Sequence, residues 1–538
     1  MTVITWISTL WYWLPTIGGF GLLAILTRAA YDLWLHPLSK VPGPWFARIS
    51  GIPSWYHALQ GDRHIWIWQL NQIYGGKFRI EPNTVIFCDP SSYNDIYSNT
   101  ANVQKSTFYP AMQRTHKEHN TFTETDTKLH ARKRRLLNLS FTEKSLRAAS
   151  EFVITHIDRW LDLISEECGD STEWTAPKDF EELASFLVFD IMGDLAFGNS
   201  PKIKEPGENP FKKMPHNIAE YLKFVYPIAR SPFLDLVLWL RPKGLDALLE
   251  FITPPEIKAY YQFIEDSIAK RTKLQEEFRG KPETQQRLDM FHFLCEAKDP
   301  ETGAPAYDKN ELWAEANLLI IAGADTTSVS LCGIIFYLVR NDRCLEKLVK
   351  EIRSTFSTAD SINYGPKLQS CVYLKACIEE GMRLTPAGPS ELNREVKPGG
   401  MTINNEHYPA GVIVGAANWT QSRNDTYGDP YIFRPERWIA DEASGVTAES
   451  IKVIRANHSP FGRGPRACPG KTMAIMELML MVAKLLHRLD VRKPPGDTLG
   501  EGCPEKQWGE RDRNIFQMRD AFITILEGPT VQFRKRES

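Results

Sequence analysis

Residues 459–472 read Ser-Pro-Phe-Gly-Arg-Gly-Pro-Arg-Ala-Cys-Pro-Gly-Lys-Thr and run straight into Met473-Ala-Ile-Met-Glu-Leu-Met-Leu-Met. Pro460, Pro465 and Pro469 alternate with Gly462, Gly464 and Gly470, so neither helix nor regular strand can form before Lys471. A strongly helical segment then begins. Cys468 is therefore predicted on a tight loop at a helix N-terminus, facing unpaired backbone N–H groups and the positive end of the helix dipole. Arg463, Arg466 and Lys471 add positive potential. These influences favour the thiolate, which is the metal-binding form. The glycines let a flat, bulky ligand lie against the backbone. The reading is one anionic sulfur held beneath a planar group; a cysteine nucleophile and an incidental surface cysteine stand as alternatives.

The other cysteines do not compete for that role. There are nine: Cys88, Cys168, Cys295, Cys332, Cys344, Cys371, Cys377, Cys468 and Cys503. The count is odd and no C-x-x-C pair occurs, which excludes a disulfide framework and zinc-ligand spacing. Lysine plus arginine is 64 against 66 acidic residues, a net charge of −2, which excludes a strongly basic nucleic-acid binder. Helical periodicity dominates: Leu331, Ile334, Ile335 and Leu338 share one face, and Leu318–Ala322 is apolar all round. Residues ~311–340 are predicted as one long central helix. Strand patterns occur at 77–80, 84–87 and 412–414. The expectation is a mainly α fold with small β-sheets. Within the central helix, Gly323 and Asp325 break local rules, which marks a candidate functional site.

Residues 1–27 carry no charged side chain and are long enough to span ~30 Å of hydrocarbon. They are predicted as a transmembrane anchor, with Trp6, Trp11, Tyr12 and Trp13 at the interface. Positive residues follow the run, so the body is expected in the cytosol. A cleaved signal peptide is the alternative. Residues 28–44 are expected as a stiff, extended, proline-rich linker, and 45–538 as one domain. Sequons at Asn138, Asn418, Asn424 and Asn457 are predicted to stay unglycosylated in this topology.

The pattern Phe461-x-x-Gly464-x-Arg466-x-Cys468-x-Gly470 matches the haem-binding signature of the cytochrome P-450 family at every fixed position. The resemblance implies that Cys468 is the axial ligand of haem b iron, that Arg466 meets a propionate and that Phe461 packs beside the sulfur. Gly464 and Gly470 belong to the same cofactor loop. Ala322-Gly-Ala-Asp-Thr-Thr327 resembles the oxygen-activation motif, in which the helix opens locally. Thr326 would bond the iron-bound oxygen and Asp325 would relay protons. Glu380-x-x-Arg383 and Phe433-Arg-Pro-Glu-Arg-Trp438 resemble the parts of a buried structural triad, Glu380, Arg383 and Arg437. His130 and Arg134 stand where the family usually shows W-x-x-x-R, with histidine replacing tryptophan, and both would reach propionates. The anchor, His36-Pro-Leu and Pro42-Gly-Pro44 resemble the microsomal, fungal-type members, with a benzoate-hydroxylase-like branch as one affinity.

The function so implied is a monooxygenase that places one atom of dioxygen in a lipophilic small molecule, as a tailoring step on a polyketide, terpenoid or alkaloid. No G-x-G-x-x-G lies between a strand and a helix. Electrons would come from NADPH through a separate FAD/FMN reductase, docking on Arg132, Lys133 and Arg135. Substrate contacts are expected at Phe108, Tyr109, Pro386, Ala387 and Pro389. The implied location is the endoplasmic reticulum membrane. An aromatic-acid hydroxylase, a peroxide-using haem-thiolate isomerase and a non-enzymatic haem sensor are the rival readings. No nucleic-acid partner is expected.

Overall fold

The computed structural model describes residues 3–169, 173–278, 280–282, 286–298 and 303–536, with side chains from residue 16 onward except 309. The protein is mainly helical, and six helices carry the argument: α1 (Val3–Ala30), α2 (Thr127–Leu137), α3 (Phe180–Phe197), α4 (Lys309–Leu338), α5 (Val372–Leu384) and α6 (Lys471–Arg488). A five-stranded sheet flanks them, built from β1 (Lys77–Glu81), β2 (Thr84–Phe87), β3 (Val103–Lys105), β4 (Arg394–Val396) and β5 (Ile413–Ala416) in the order β1-β2-β5-β4-β3. The β2–β5 pair is parallel and the other three are antiparallel.

Local chemistry fixes these elements. Asp308 opens α4 by accepting from the N–H groups of Asn310 and Glu311, and Glu311 returns the bond in a capping box. The helix then runs unbroken for 30 residues. Among the described residues it is also the one helix long and apolar enough to cross a membrane, yet 67% of its most apolar window is buried. It is the core helix, packed along α3 and crossed by α5 and α6. The expected local opening of α4 is not observed. Gly323 has a packing reason instead: a side chain there would collide with Met192 of α3.

The N-terminal region departs from its expectation as well. Helix α1 covers the predicted anchor, of which residues 1–2 and the side chains through 15 lie outside the described residues. The chain after it is not an extended linker. A wide helical turn continues to Leu35, where His36 N donates to Tyr31 O at 2.8 Å. Further turns at 36–41 bury Leu38 and Val41 against the sheet. Buried Arg79 donates to the Asp32 carbonyl at 2.7 Å, and Arg48 donates to the Leu33 and Ser39 carbonyls. Three prolines stiffen this stretch, but satisfying its buried backbone required folding it back onto the body.

Candidate active site

A cavity of about 350 Å³ lies between α4, α2, α6 and the 459–470 loop. The loop is shaped by hydrogen bonds from Gly462 N to Ser459 O and from Cys468 N to Phe461 O (2.8 Å). Gly464 has φ +67°, and a side chain there would strike the carbonyl of Tyr97. Its role is thus to let the loop press against the helix Pro90–Tyr97, not to admit a ligand. Helix α6 has no side-chain N-cap. The Cys468 sulfur takes that place, accepting from the backbone N–H groups of Gly470 and Lys471.

The sulfur opens onto the cavity, and its surroundings pull both ways. Burial pushes the Cys468 thiol above its ordinary range, while the two N–H donors and Arg134 pull it down. The two N–H donors and Arg134 act in the sense the sequence suggested, favouring the anion, and a cation on the sulfur would favour it further. Arg463 plays no part, being turned away to Ser459 and Asn94.

One end of the cavity is crowded with cations. His130, Arg134 and Arg466 meet there as the sequence predicted, joined by Lys105, which it did not. The β3–β4 register sets Lys105 opposite Arg394, adding a fifth basic group. Arg134 donates to the Ala467 carbonyl, Arg466 to those of Glu124 and Thr125, and Lys105 to that of Phe122. Arg394 bonds Tyr109 OH and the Asn393 carbonyl. Among the described residues, none of these four cations has a carboxylate side chain within ion-pair distance. Burial and Arg394 lower Arg466 to about 10. Burial and the Arg466 and Lys105 charges lower His130 to about 3, leaving a neutral ring. A desolvated cation cluster without an anion is a cradle for one. The residues fit haem: a thiol for iron, bases for two propionates and apolar walls for the ring.

Apolar side chains form much of the remaining wall, among them Phe122, Met192, Leu318, Leu319, Ala322, Phe522 and Ile523, together with predicted Pro386 and Ala387. Phe108, Tyr109 and Pro389 do not line it, against expectation. Phe108 and Tyr109 form a buried layer with Tyr226 and Phe522 behind the wall. On α4, Thr326 faces the cavity and donates to the Ala322 carbonyl at 2.7 Å. Asp325 lies just past the edge of the lining face and does not reach the cavity. Burial, aided by the Glu181 charge, raises it to about 7. Glu477 of α6, unnoticed in the sequence, does line the cavity, as do the sequon residues Asn418 and Asn457.

Two buried ionic networks brace the site. Glu380 accepts from Arg383 (2.9 Å twice), Arg437 (3.0 Å), Trp438 Nε1 and the Arg434 N–H, so the predicted triad is assembled. Burial alone would raise Glu380, but Arg383 and Arg437 overcome it and hold the carboxyl at about 2. The second network was not foreseen. Glu391 binds Arg63 at 2.7 and 2.9 Å and Arg230 at 2.7 Å. Nearby, Asp520 accepts from Tyr226 and Ser390.

Of the predicted docking patch, Lys133 is consumed internally while Arg132 and Arg135 are exposed. Lys133 is buried, paired with Glu311 at 3.0 Å and near Glu315 at 3.8 Å. Arg132 donates to the Ala306 carbonyl. Arg135 remains exposed.

Residues 41–502 match the family model for Cytochrome P-450. The cytochrome P-450 monooxygenase fscF of Fusarium equiseti is 34% identical over 530 residues, covering 97% of each chain. The monooxygenase apf7 of Gibberella fujikuroi is 33% identical, over 95% of this chain and 96% of that one. The monooxygenase atnE of Emericella nidulans is 31% identical over 96% of each. A thiol-floored cavity with an anion cradle, matched along nearly its whole length by this family, leaves one assignment: the chain belongs to the cytochrome P-450 family.

Proposed function

We propose that this protein is a membrane-attached haem-thiolate monooxygenase that oxidises a lipophilic small molecule in a secondary-metabolite pathway. The observation that carries it is the Cys468 sulfur, capped by two backbone N–H groups and opening onto an apolar cavity whose far end is an unpaired cation cluster. When bound there, haem supplies the redox chemistry that splits dioxygen, with thiolate ligation favouring O–O cleavage.

The chain's own groups do the rest. Lys105, Arg134 and Arg466 would hold the propionates, and neutral His130 would add a hydrogen bond without adding charge. Phe122, Leu318, Leu319, Pro386, Ala387 and Phe522 bind the substrate by burial of apolar surface and exclude water. Thr326 lines the cavity, and its hydroxyl would be available to dioxygen held there. Electrons come from NADPH through a flavoprotein. Arg132 and Arg135 are the exposed bases of the predicted patch, and the groove beside the cysteine loop adds Lys375, Arg455 and Lys471 as docking groups for an acidic partner surface.

Attachment to the endoplasmic reticulum membrane is supported by α1 and by the exposed apolar surface that continues from it. Trp34, Leu35, Trp45 and Phe46 are exposed after the helix, and Phe233, Leu236, Trp239 and Phe251 are exposed on a segment reached through Gly51 and Pro232. Patches of this kind mark protein or lipid contacts. The deciding experiment is the reduced carbon monoxide difference spectrum of the purified, haem-loaded protein. A thiolate-type band, followed by NADPH-dependent oxygen uptake with reductase, is expected; a band from a nitrogen or water ligand refutes the assignment.

A further inference from the structure

We propose that Glu315 is a positioning residue: it holds the 119–125 stretch, and with it the Phe122 wall, in place when the cradle cations engage an anion. This rests on the haem-thiolate reading above and adds to it a residue outside the cavity.

The 119–125 stretch is shared between the cavity wall and the cation cluster. Thr121 and Phe122 line the cavity. The Phe122 ring packs on those of Phe522 and Tyr109, with centroids 5.6 and 5.4 Å apart. Side chains from four other elements tie the stretch down at its backbone. Lys105 of β3 donates to the Phe122 carbonyl, its ammonium 4.3 Å from the centre of that ring. Arg466 of the cysteine loop donates to the Glu124 and Thr125 carbonyls. Lys133 of α2 donates to the His119 carbonyl at 3.1 Å. Glu315 of α4 accepts from both the backbone N–H and the Oγ1 of Thr121, each at 2.8 Å.

These ties are of two kinds. Lys105 and Arg466 belong to the unpaired cluster, so an anion bound there draws on the same N–H donors that hold the carbonyls of the stretch. Lys133 and Glu315 do not line the cavity. They lie 3.8 Å apart, and Lys133 also pairs with Glu311 at 3.0 Å. Of this second kind, Glu315 makes two bonds and makes them next to Phe122. Its position is costly. The side chain is 0% exposed, its Oε2 has no hydrogen-bond partner, and burial raises the carboxyl to about 7 against the pull of Lys133 and Thr121. Both hydrogen bonds of the side chain reach across to Thr121 rather than serving its own helix. An apolar residue would pack α4 at lower cost and release Thr121.

The test uses the haem-loaded full chain, comparing wild type with Glu315→Leu, Glu315→Gln and Thr121→Val. One readout is amide hydrogen exchange over 119–125. The other is the ratio of affinities for phenylimidazole and imidazole, two iron ligands that differ by a ring reaching for the wall. Glu315→Leu is expected to keep the thiolate-type carbon monoxide band, speed exchange in the stretch about tenfold and lower the ratio about tenfold, the size of one lost charged hydrogen bond. Glu315→Gln, whose carbonyl still accepts from Thr121, should restore both. Thr121→Val keeps the N–H donor and should show a smaller loss of the same kind. Wild-type behaviour of either readout in Glu315→Leu overturns the proposal, as does faster exchange spread evenly along α4, the mark of a merely structural role. If Glu315→Leu takes up no haem, Thr121→Val decides alone, and a wild-type ratio there refutes the assignment. A wild type without a thiolate-type carbon monoxide band would instead refute the function itself.

Discussion

Two clusters of buried charge in this protein obey opposite rules. Around Glu380, each charge is answered: Arg383 and Arg437 meet Glu380, and Arg437 also meets Asp429. With Arg434 on Asp429 as well, every cation there has a carboxylate partner. At the cavity end, Lys105, Arg134, Arg394 and Arg466 lean on backbone carbonyls and a tyrosine hydroxyl. The first arrangement serves the fold and the second waits for an anion. A buried ionic group therefore reports a binding site only when its own protein leaves it unanswered.

This contrast can be attacked experimentally. The largest effect belongs to the cavity. Cys468→Ala should abolish the thiolate-type carbon monoxide band and all oxygenation, while the haem-free protein melts near the wild-type temperature. Next comes the closed cluster. Glu380→Ala strands two guanidinium groups and should cost about 3–5 kcal/mol by denaturant unfolding, with or without haem. Acid should probe the same difference. Glu380 and Glu391 are both held at about 2, below the 4.5 of the unfolded chain. Their contribution is complete above pH ~4.5 and is lost as pH falls towards ~2. Thermal melts over that window should fall steeply, and Glu380→Gln should flatten the fall. Lys105→Met should act oppositely to Glu380→Ala. Removing one of several like charges leaves the haem-free protein as stable or more so, yet haem transfer to a competing apoprotein should run about tenfold faster, from one lost charged hydrogen bond of about 1.5–3 kcal/mol. Smallest is Arg135→Glu. It should slow reduction by the flavoprotein a few-fold at low salt and converge with wild type as salt rises.

What could be read in the sequence follows the range of the interactions involved. The cysteine loop, the Glu380-x-x-Arg383 pair and the central helix are local patterns, and each stands where its spacing placed it. Strands β1, β2 and β5 were legible from alternation and turn residues, and fold at the expected positions. Long-range partnerships left no such mark. Arg63 and Glu391 are separated by 328 positions, and Lys105 is an ordinary lysine until β3 pairs with β4. Glu477 gave no signal of its own within a methionine-rich helix, and only packing of α6 against α4 buries it. That Asp325 lies off the lining face while Thr326 lies on it was illegible for a related reason. A helix tells which residues share a face, but the edge of a cavity cuts across that face at a boundary the sequence does not encode.

The folded-back stretch after α1 has a mechanical consequence. Asp32, Arg48 and Arg79 pin the chain within a few residues of the helix end, with Arg48 and Arg79 gripping its last carbonyls. A free tether would let the body swing; this short bracket transmits torque. The heading of the helix and the aspect of the body are one rigid quantity, so whatever surface receives α1 also dictates which way the protein leans, and each encounter with a neighbour in that plane begins from the same pose.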